Sequence, residues 1–463
     1  MISTSFSHES ILRKPSRKST AILIGILAVS LFSIFSYMIL GVQFKLNEFV
    51  LLCICVIGPS VSYERHHDYL APGFYFPILY FLFYWLGNFD FLDMYSVVPE
   101  YIWNYYILGI IAFYLGAIAA NMFFENSMRA IHRKPNIEKM TEKSYCLMLL
   151  LFAFCFSAKM YMYWVNGIPM LSSNIDAVRE GASEGFGLLK VFTTMLVIIP
   201  VFFFYDFMVG KRKSSISIIV IGACFILAIL DGSRLLVLQM LVPMALIYIL
   251  KLRRISLKSV LALASLGILF VGLNKFIRNV LSDPGYLTYI AQSRSTGLLG
   301  NIMISGFDSL RVGIDGLSNV IALIPSASSY TYGEMMLNSI LSVLPGKQVT
   351  VGYYAAELLG KEFDGIGLAT TLLGSLYIDG GAVGIFLGML FVGFLLQIVH
   401  LRYLKHSDFG MGTLFAVYVV YFSIVALRTG ILPTVEPILM FVLYWFVGWV
   451  AAKSDTAIRR TEK

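Results

Sequence analysis

The sequence has few charged residues for its length. Only 13% of its 463 residues are charged, whereas soluble globular domains carry about 25%. Hydrophobic residues make up 58% of the chain, and the mean hydropathy is +0.79. This composition excludes an ordinary soluble enzyme and predicts an integral membrane protein.

Apolar runs close to the ~20 residues that cross a bilayer recur along the whole chain. They predict an all-α polytopic membrane protein with about twelve transmembrane helices. Runs 2, 3, 7, 8 and 12 are short, so the exact number of spans stays open. The twelve runs are 21–40, 47–63, 72–87, 103–124, 145–165, 188–209, 216–230, 235–250, 257–274, 382–400, 411–427 and 436–452.

The distribution of Lys and Arg predicts the orientation, because these residues favour cytoplasmic loops. With the N terminus inside, 23 of the 35 basic residues lie in cytoplasmic segments and 11 in outer ones. Both termini are therefore predicted to be cytoplasmic, and the first run is read as a membrane span without a signal-peptide cleavage site. The predicted segments are a cytoplasmic N-terminal segment (1–20), transmembrane helices 1–9 (21–274), a long outer loop (275–381), transmembrane helices 10–12 (382–452) and a cytoplasmic tail (453–463).

Cysteine and histidine are scarce, and their positions argue against several kinds of site. The five cysteines lie within predicted spans, and the six histidines fall on the predicted cytoplasmic side. We therefore expect no metal site, no cofactor and no histidine base in the outer loops. The net charge of +8 comes from cytoplasmic loops; no nucleic-acid partner is expected.

The long outer loop has the composition of an ordered segment. Apolar residues from 303 to 324 recur at alternating steps of four and three, which predicts an amphipathic helix. A second short helix is predicted around 331–343. The glycine-rich stretch 363–396 allows either close helix packing or a broken, re-entrant segment.

Four arginines fall at the outer ends of spans or in the long loop: Arg234, Arg428, Arg278 and Arg294. Arg234 is the last residue of the sequence "DGSR" between two spans. In the alternative interpretation, this sequence is only a tight turn whose Arg side chain reaches the membrane interface. The guanidinium suits phosphate oxygens, and ionisable groups at membrane depth are functional candidates. Arg311 is given less weight, because Asp308 and Asp315 are its helical neighbours and pair with it in the simplest interpretation.

The "GSR" turn between central spans, the long outer loop and a pattern near residue 375 together resemble the bacterial oligosaccharide repeat-unit polymerases, the Wzy-type polymerases of O-antigen and capsule. The pattern consists of Gly367, Thr371, Gly374, Tyr377, Asp379 and Gly381. The resemblance implies a membrane glycosyltransferase of the bacterial inner membrane, for which a GT-C-like architecture is one possibility. Its active site would face the periplasm and need no cofactor.

The resemblance also implies the substrates and partners. These would be undecaprenyl-pyrophosphate-linked oligosaccharides, the lipid bilayer and a chain-length regulator protein. The four arginines would hold the departing pyrophosphate, and Ser233, Tyr377 and Asp379 would be substrate or loop residues. Glu334 and Asp315 are the first candidates for the general base, ahead of Asp231, Asp308, Glu357, Asp379 and Glu436. An O-antigen ligase and a lipid-linked oligosaccharide flippase or transporter are the alternatives.

Overall fold

The computed structural model describes residues 45–66, 70–88, 98–128, 142–172, 187–209, 215–252, 297–341, 349–360, 368–405 and 410–430, with a few isolated positions near 178, 269–280 and 438–446. These residues form helices, turns and loops, and none of them is in a β-strand. The helices are α1 (Leu46–His66), α2 (Pro72–Leu86), α3 (Ile102–Met128), α4 (Glu142–Asn166), α5 (Gly187–Val209), α6 (Ser215–Leu230), α7 (Arg234–Leu252), α8 (Gly297–Leu323), α9 (Glu334–Leu341), α10 (Val351–Leu358), α11 (Thr371–Lys405) and α12 (Gly410–Thr429).

Nine of the predicted spans coincide with helices of the structure. By length and composition, three described helical stretches could cross a membrane: Ile102–Phe124, Glu142–Leu171 and Thr371–Tyr403. Six shorter apolar helices accompany them. The prediction of an all-helical membrane protein is confirmed at this level. The first predicted span lies outside the described residues, the ninth and twelfth lie largely outside them, and the count of twelve stays a prediction.

Buried apolar side chains form two clusters. The first cluster draws on α1, α2, α3, α8 and α11, and the second draws on α4, α5, α6 and α7. Helix α12 contributes to both, since Val420 and Leu427 belong to the first cluster while Val417 and Tyr421 belong to the second. This helix therefore joins the two halves of the described molecule.

Helices α3 and α11 run in the same direction and approach each other closely. A Cβ on Gly116 would lie 1.9 Å from the carbonyl oxygen of Leu390, and one on Gly393 would lie 2.0 Å from that of Phe113. At both positions only glycine lets the two backbones come so near, as is common where membrane helices meet. Close packing, one of the two roles expected of the glycine-rich stretch, is thus present.

Helix α11 is also broken at Gly380–Gly381, while the re-entrant course expected of this stretch stays a prediction. Both residues leave helical geometry, and Gly381 has a positive φ of 60°. A Cβ on Gly384 would lie 2.2 Å from the carbonyl oxygen of Leu376, and one on Gly388 would lie 2.3 Å from the Leu376 side chain. In a straight helix, residues 376 and 388 would be about 18 Å apart. The first arm, 371–379, is therefore folded back against the rest of α11.

Candidate functional site

The "DGSR" sequence forms a tight turn between α6 and α7. The Asp231 and Gly232 amides donate to the carbonyls of Leu227 and Ile229, which closes the end of α6. Gly232 has a positive φ of 65°, a conformation that glycine adopts without steric cost. Ser233 is half-buried, and α7 begins at Arg234. The arrangement of the Arg234 side chain is outside the described residues, so its anion-binding role stays a prediction.

Asp231 is held by an ion pair that the sequence did not reveal. Its carboxylate lies 2.7 Å from Lys159 Nζ of α4, and both side chains are largely buried. The Tyr163 hydroxyl, one turn further along α4, lies 2.7 Å from Asp231 Oδ1. Lys159 Nζ also sits 5.0 Å from the Tyr163 ring centroid. These contacts fix the turn against α4 and engage Asp231 structurally.

A second group of polar residues lies where α8, α11 and α12 meet. Gly430, with a φ of 91°, packs so that an added Cβ would lie 2.2 Å from Ser375 Oγ. Ser375 Oγ donates to the carbonyl of Thr371 and lies 3.2 Å from Thr370 Oγ1. Arg428 is half-buried in the last turn of α12. We call Thr370, Thr371, Ser375, Arg428 and Gly430 the polar junction.

The backbone of the polar junction includes an uncommon conformation. Thr371 has a positive φ of 63°, which is an outlier for a β-branched residue. Such conformations cost about 1–3 kcal/mol and cluster at functional sites. Across the junction, a Cβ on Gly313 of α8 would lie 3.0 Å from the Arg428 carbonyl. The last turn of α12 therefore touches the helix that carries Arg311.

Arg311 has hydrogen-bond partners outside its own helix. Its side chain is only 2% exposed, and Nη1 donates to the carbonyls of Asn88 at 3.0 Å and Gly87 at 3.4 Å. The guanidinium thus reaches the C-terminal end of α2, where a cation also meets the negative end of the helix dipole. The Asp308 side chain lies outside the described residues, so the pairing of Arg311 with neighbours on its own helix stays a prediction. The signal missed was the single Arg on the buried side of an amphipathic helix.

Asp379 and Tyr377 connect the break in α11 to the loop before α9. The Asp379 carboxylate accepts hydrogen bonds from Thr331 Oγ1 at 2.6 Å and from the amides of Met335 and Met336 at 3.1 and 3.0 Å. It therefore caps the N-terminus of α9. Tyr377 is buried and donates to the carbonyl of Ile324 at 3.2 Å. Both residues hold the loop, and no described contact assigns them to substrate.

The two candidates for the general base differ in exposure. Glu334 is exposed at the first position of α9, beside the residues that Asp379 caps. Asp315 is half-buried on α8 and accepts a hydrogen bond from Asn319 Nδ2 at 3.0 Å. Glu334 is therefore the more open to a substrate. Four other candidates, namely Arg278, Arg294, Glu436 and the side chain of Asp308, lie outside the described residues.

Comparison with known proteins gives one positive result. The model of the O-antigen polymerase family matches residues 70–441, which include helices α2 to α12, the "DGSR" turn and the polar junction. No curated protein and no solved structure matches the chain.

Proposed function

Because the chain belongs to the O-antigen polymerase family, we propose that it joins undecaprenyl-pyrophosphate-linked oligosaccharide repeat units into O-antigen or capsular polysaccharide at the periplasmic face of the bacterial inner membrane. The apolar helices supply the membrane setting that a lipid-linked substrate requires. Two predicted outer segments contact each other through the Arg311–Asn88 hydrogen bond, and the long loop is tied together by the Thr331–Asp379 hydrogen bond. These contacts support a common outer surface on which substrates would meet.

The reaction transfers a glycan from its lipid carrier to a sugar hydroxyl. The hydroxyl oxygen of the incoming repeat unit forms a bond to the anomeric carbon of the growing chain, and the bond from that carbon to the pyrophosphate oxygen breaks. The bonding electrons leave with the lipid pyrophosphate, and the hydroxyl proton passes to a carboxylate. An enzyme for this step needs cations near the leaving group and a carboxylate near the attacking hydroxyl.

The observation that carries the proposal is the polar junction. Arg428 is half-buried two residues before Gly430, which packs against Ser375, and the Thr370 and Ser375 hydroxyls lie 3.2 Å apart. Guanidinium groups bind phosphate oxygens bidentately and keep their charge when partly desolvated. We infer that Arg428 binds the departing pyrophosphate, with Arg234, Arg278 and Arg294 as further candidates. Glu334 and Asp315 remain the candidates for the base.

The proposal is tested by deleting the gene and separating surface and lipid-linked glycans on a gel. A polymerase deletion leaves surface glycan with one repeat unit, and wild type restores the ladder. Long polymer held on the lipid carrier would instead indicate a ligase, and loss of all exported glycan would indicate a flippase. An unchanged ladder in the deletion strain would overturn all three.

The arginine role is tested in the same strain. Removing one preorganised donor to a developing charge costs about 10²–10³ in rate, so Arg428→Ala should abolish the ladder while the protein still reaches the membrane. Arg402→Ala is the matched control, since Arg402 is exposed on α11 away from the junction. A full ladder from Arg428→Ala would show that Arg428 does not bind the departing pyrophosphate.

A further inference from the structure

The loop before α9 displays an exposed aromatic side chain. Tyr332 is 83% exposed, although a tyrosine ring gains free energy when its apolar surface is buried. The residue lies in the turn Thr331–Tyr332–Gly333–Glu334, closed by the Glu334 amide donating to the Thr331 carbonyl at 3.1 Å. The turn thus places an open aromatic face two residues from the exposed carboxylate of Glu334.

The backbone of this turn is unusual for tyrosine. Both central residues have positive φ, 51° at Tyr332 and 91° at Gly333, which is the sign pattern of a type I′ turn. Glycine, asparagine and aspartate dominate these positions because other side chains are strained there. An aromatic residue in such a place is not explained by turn formation, which a smaller residue would serve better.

The turn is anchored on both sides. The Thr331 amide donates to the carbonyl of Ile378, and the Thr331 hydroxyl donates to Asp379. Asp379 also binds the amides of Met335 and Met336, immediately after the turn. The Tyr332 ring is consequently held by a backbone fixed to the break in α11.

Tyr332 is also the outermost member of a row of rings. The Tyr332 ring lies edge-on to Tyr330 at 6.4 Å, Tyr330 lies edge-on to Tyr377 at 6.0 Å, and Tyr377 lies edge-on to Tyr105 at 5.4 Å. Edge-to-face contacts at these distances are favourable. The row continues from Tyr105 through the buried Tyr377 to the exposed Tyr332, and its contacts support the exposed ring.

We propose that Tyr332 and Glu334 form the subsite for the acceptor sugar. The Tyr332 face stacks on the apolar C–H face of a pyranose ring of the incoming repeat unit. Glu334 accepts the proton of the attacking hydroxyl as that oxygen bonds to the anomeric carbon and the bond to the lipid pyrophosphate breaks. This inference rests on the proposed polymerase function and adds a specific binding surface for its second substrate. Aromatic faces with a few polar groups beside them are typical of ligand sites.

The test uses purified full-length protein in lipid nanodiscs, with the lipid-linked repeat unit as donor and a short-prenyl analogue of it as acceptor. Because a stacked aromatic contact contributes modestly to binding, Tyr332→Leu should raise the KM for the acceptor about 2–10-fold and leave kcat nearly unchanged. Tyr332→Phe and Tyr332→Trp should keep the wild-type KM. Glu334→Gln should lower kcat about 10²–10⁴-fold with little change in KM.

Tyr161→Leu is the matched control, because Tyr161 is an exposed tyrosine on the apolar helix α4; it should behave as wild type. A wild-type acceptor KM for Tyr332→Leu would overturn the subsite and assign the ring to the membrane interface, where leucine is tolerated. A wild-type kcat for Glu334→Gln would show that Glu334 does not accept the proton of the attacking hydroxyl. If the wild-type protein makes no polymer from these substrates, the polymerase function itself fails.

Discussion

Two buried carboxylates, Asp231 and Asp379, are 7% and 8% exposed, and they are held in different ways. The Asp231 carboxylate contacts Lys159 and the Tyr163 hydroxyl, both on α4. Asp379 faces a hydroxyl and two backbone amides, without an ion pair in the part of the chain that the structure describes. The first depends on a partner charge that one substitution removes. Asp379 depends in part on the backbone amides of Met335 and Met336, which remain when those side chains are changed.

This difference separates structural acids from acids that are open to substrate. Burial of a carboxylate is costly unless each oxygen finds a donor, and both of these residues have their donors within the protein. Glu334 is exposed and is not committed in this way. We therefore expect catalytic effects at Glu334, and effects on folding at Asp231 and Asp379.

The largest effect is expected from Lys159→Met. It leaves Asp231 buried without its cation, and breaking a buried ion pair from one side costs about 3–5 kcal/mol. Thermal unfolding in detergent should show a large drop in Tm. The double variant Lys159→Met with Asp231→Asn should recover much of the loss. A single variant as stable as wild type would show that the Tyr163 hydrogen bond alone fixes the turn.

The next largest effect is expected from Gly393→Ala, which tests the close contact of α3 and α11. The new methyl would lie 2.0 Å from the Phe113 carbonyl, and forcing extra volume into packed helices costs about 1–3 kcal/mol. Gly222→Ala on α6 is the matched control, since nothing lies within 4 Å of its Cβ position. Equal Tm values for the two variants would contradict the close packing.

A smaller, local effect is expected from Asp379→Ala. Loss of an N-cap costs about 0.5–2 kcal/mol, and here it frees the amides of Met335 and Met336. Hydrogen exchange measured by mass spectrometry should accelerate in 331–341 and leave α4 and α6 unchanged. Thr331→Val removes only one of the three donors and should change exchange less. Uniform acceleration over the chain would indicate global rather than local destabilisation.

The smallest effect is expected at the ion pair between Lys45 and Glu100, which is exposed. The hydrogen bond from Lys45 lowers the pKa of Glu100. The ion pair therefore contributes to folding stability above the ordinary Glu pKa, and this contribution is lost as the pH falls through the lowered pKa of Glu100. Solvent and salt screen such pairs, so Glu100→Gln should leave the Tm at pH 7 unchanged. A clear, salt-sensitive loss of Tm would contradict this expectation and place the pair beside Lys159–Asp231 in importance.

The sequence predicted the helices better than the contacts among them. Apolar runs located nine of the helices, because a run of apolar residues depends on local composition alone. The ion-pair partner of Lys159 could not be identified from sequence, because it depends on which helices are neighbours. A lysine within a span does indicate that a carboxylate lies near it. The contact of Arg311 with α2 was not predicted, because the neighbours of a residue on its own helix are visible in sequence, whereas the carbonyls at the end of α2 are not.

The surroundings of the candidate site could be predicted only in part. The glycine-rich stretch 363–396 indicated a possible break, since glycine permits backbone angles that other residues avoid. The carboxylate's role as a cap for α9 arises only when the first arm of α11 folds back. Tyr332 carried no signal in sequence, because neither its exposure nor its positive φ can be read from a single tyrosine.

Helix α12 bears on both clusters at once, and this has a mechanical consequence. A shift along its axis would move residues of the second cluster past α7 while moving Arg428 and Gly430 relative to α8 and the first arm of α11. A change in packing beside the "DGSR" turn that displaced α12 would therefore also displace the polar junction.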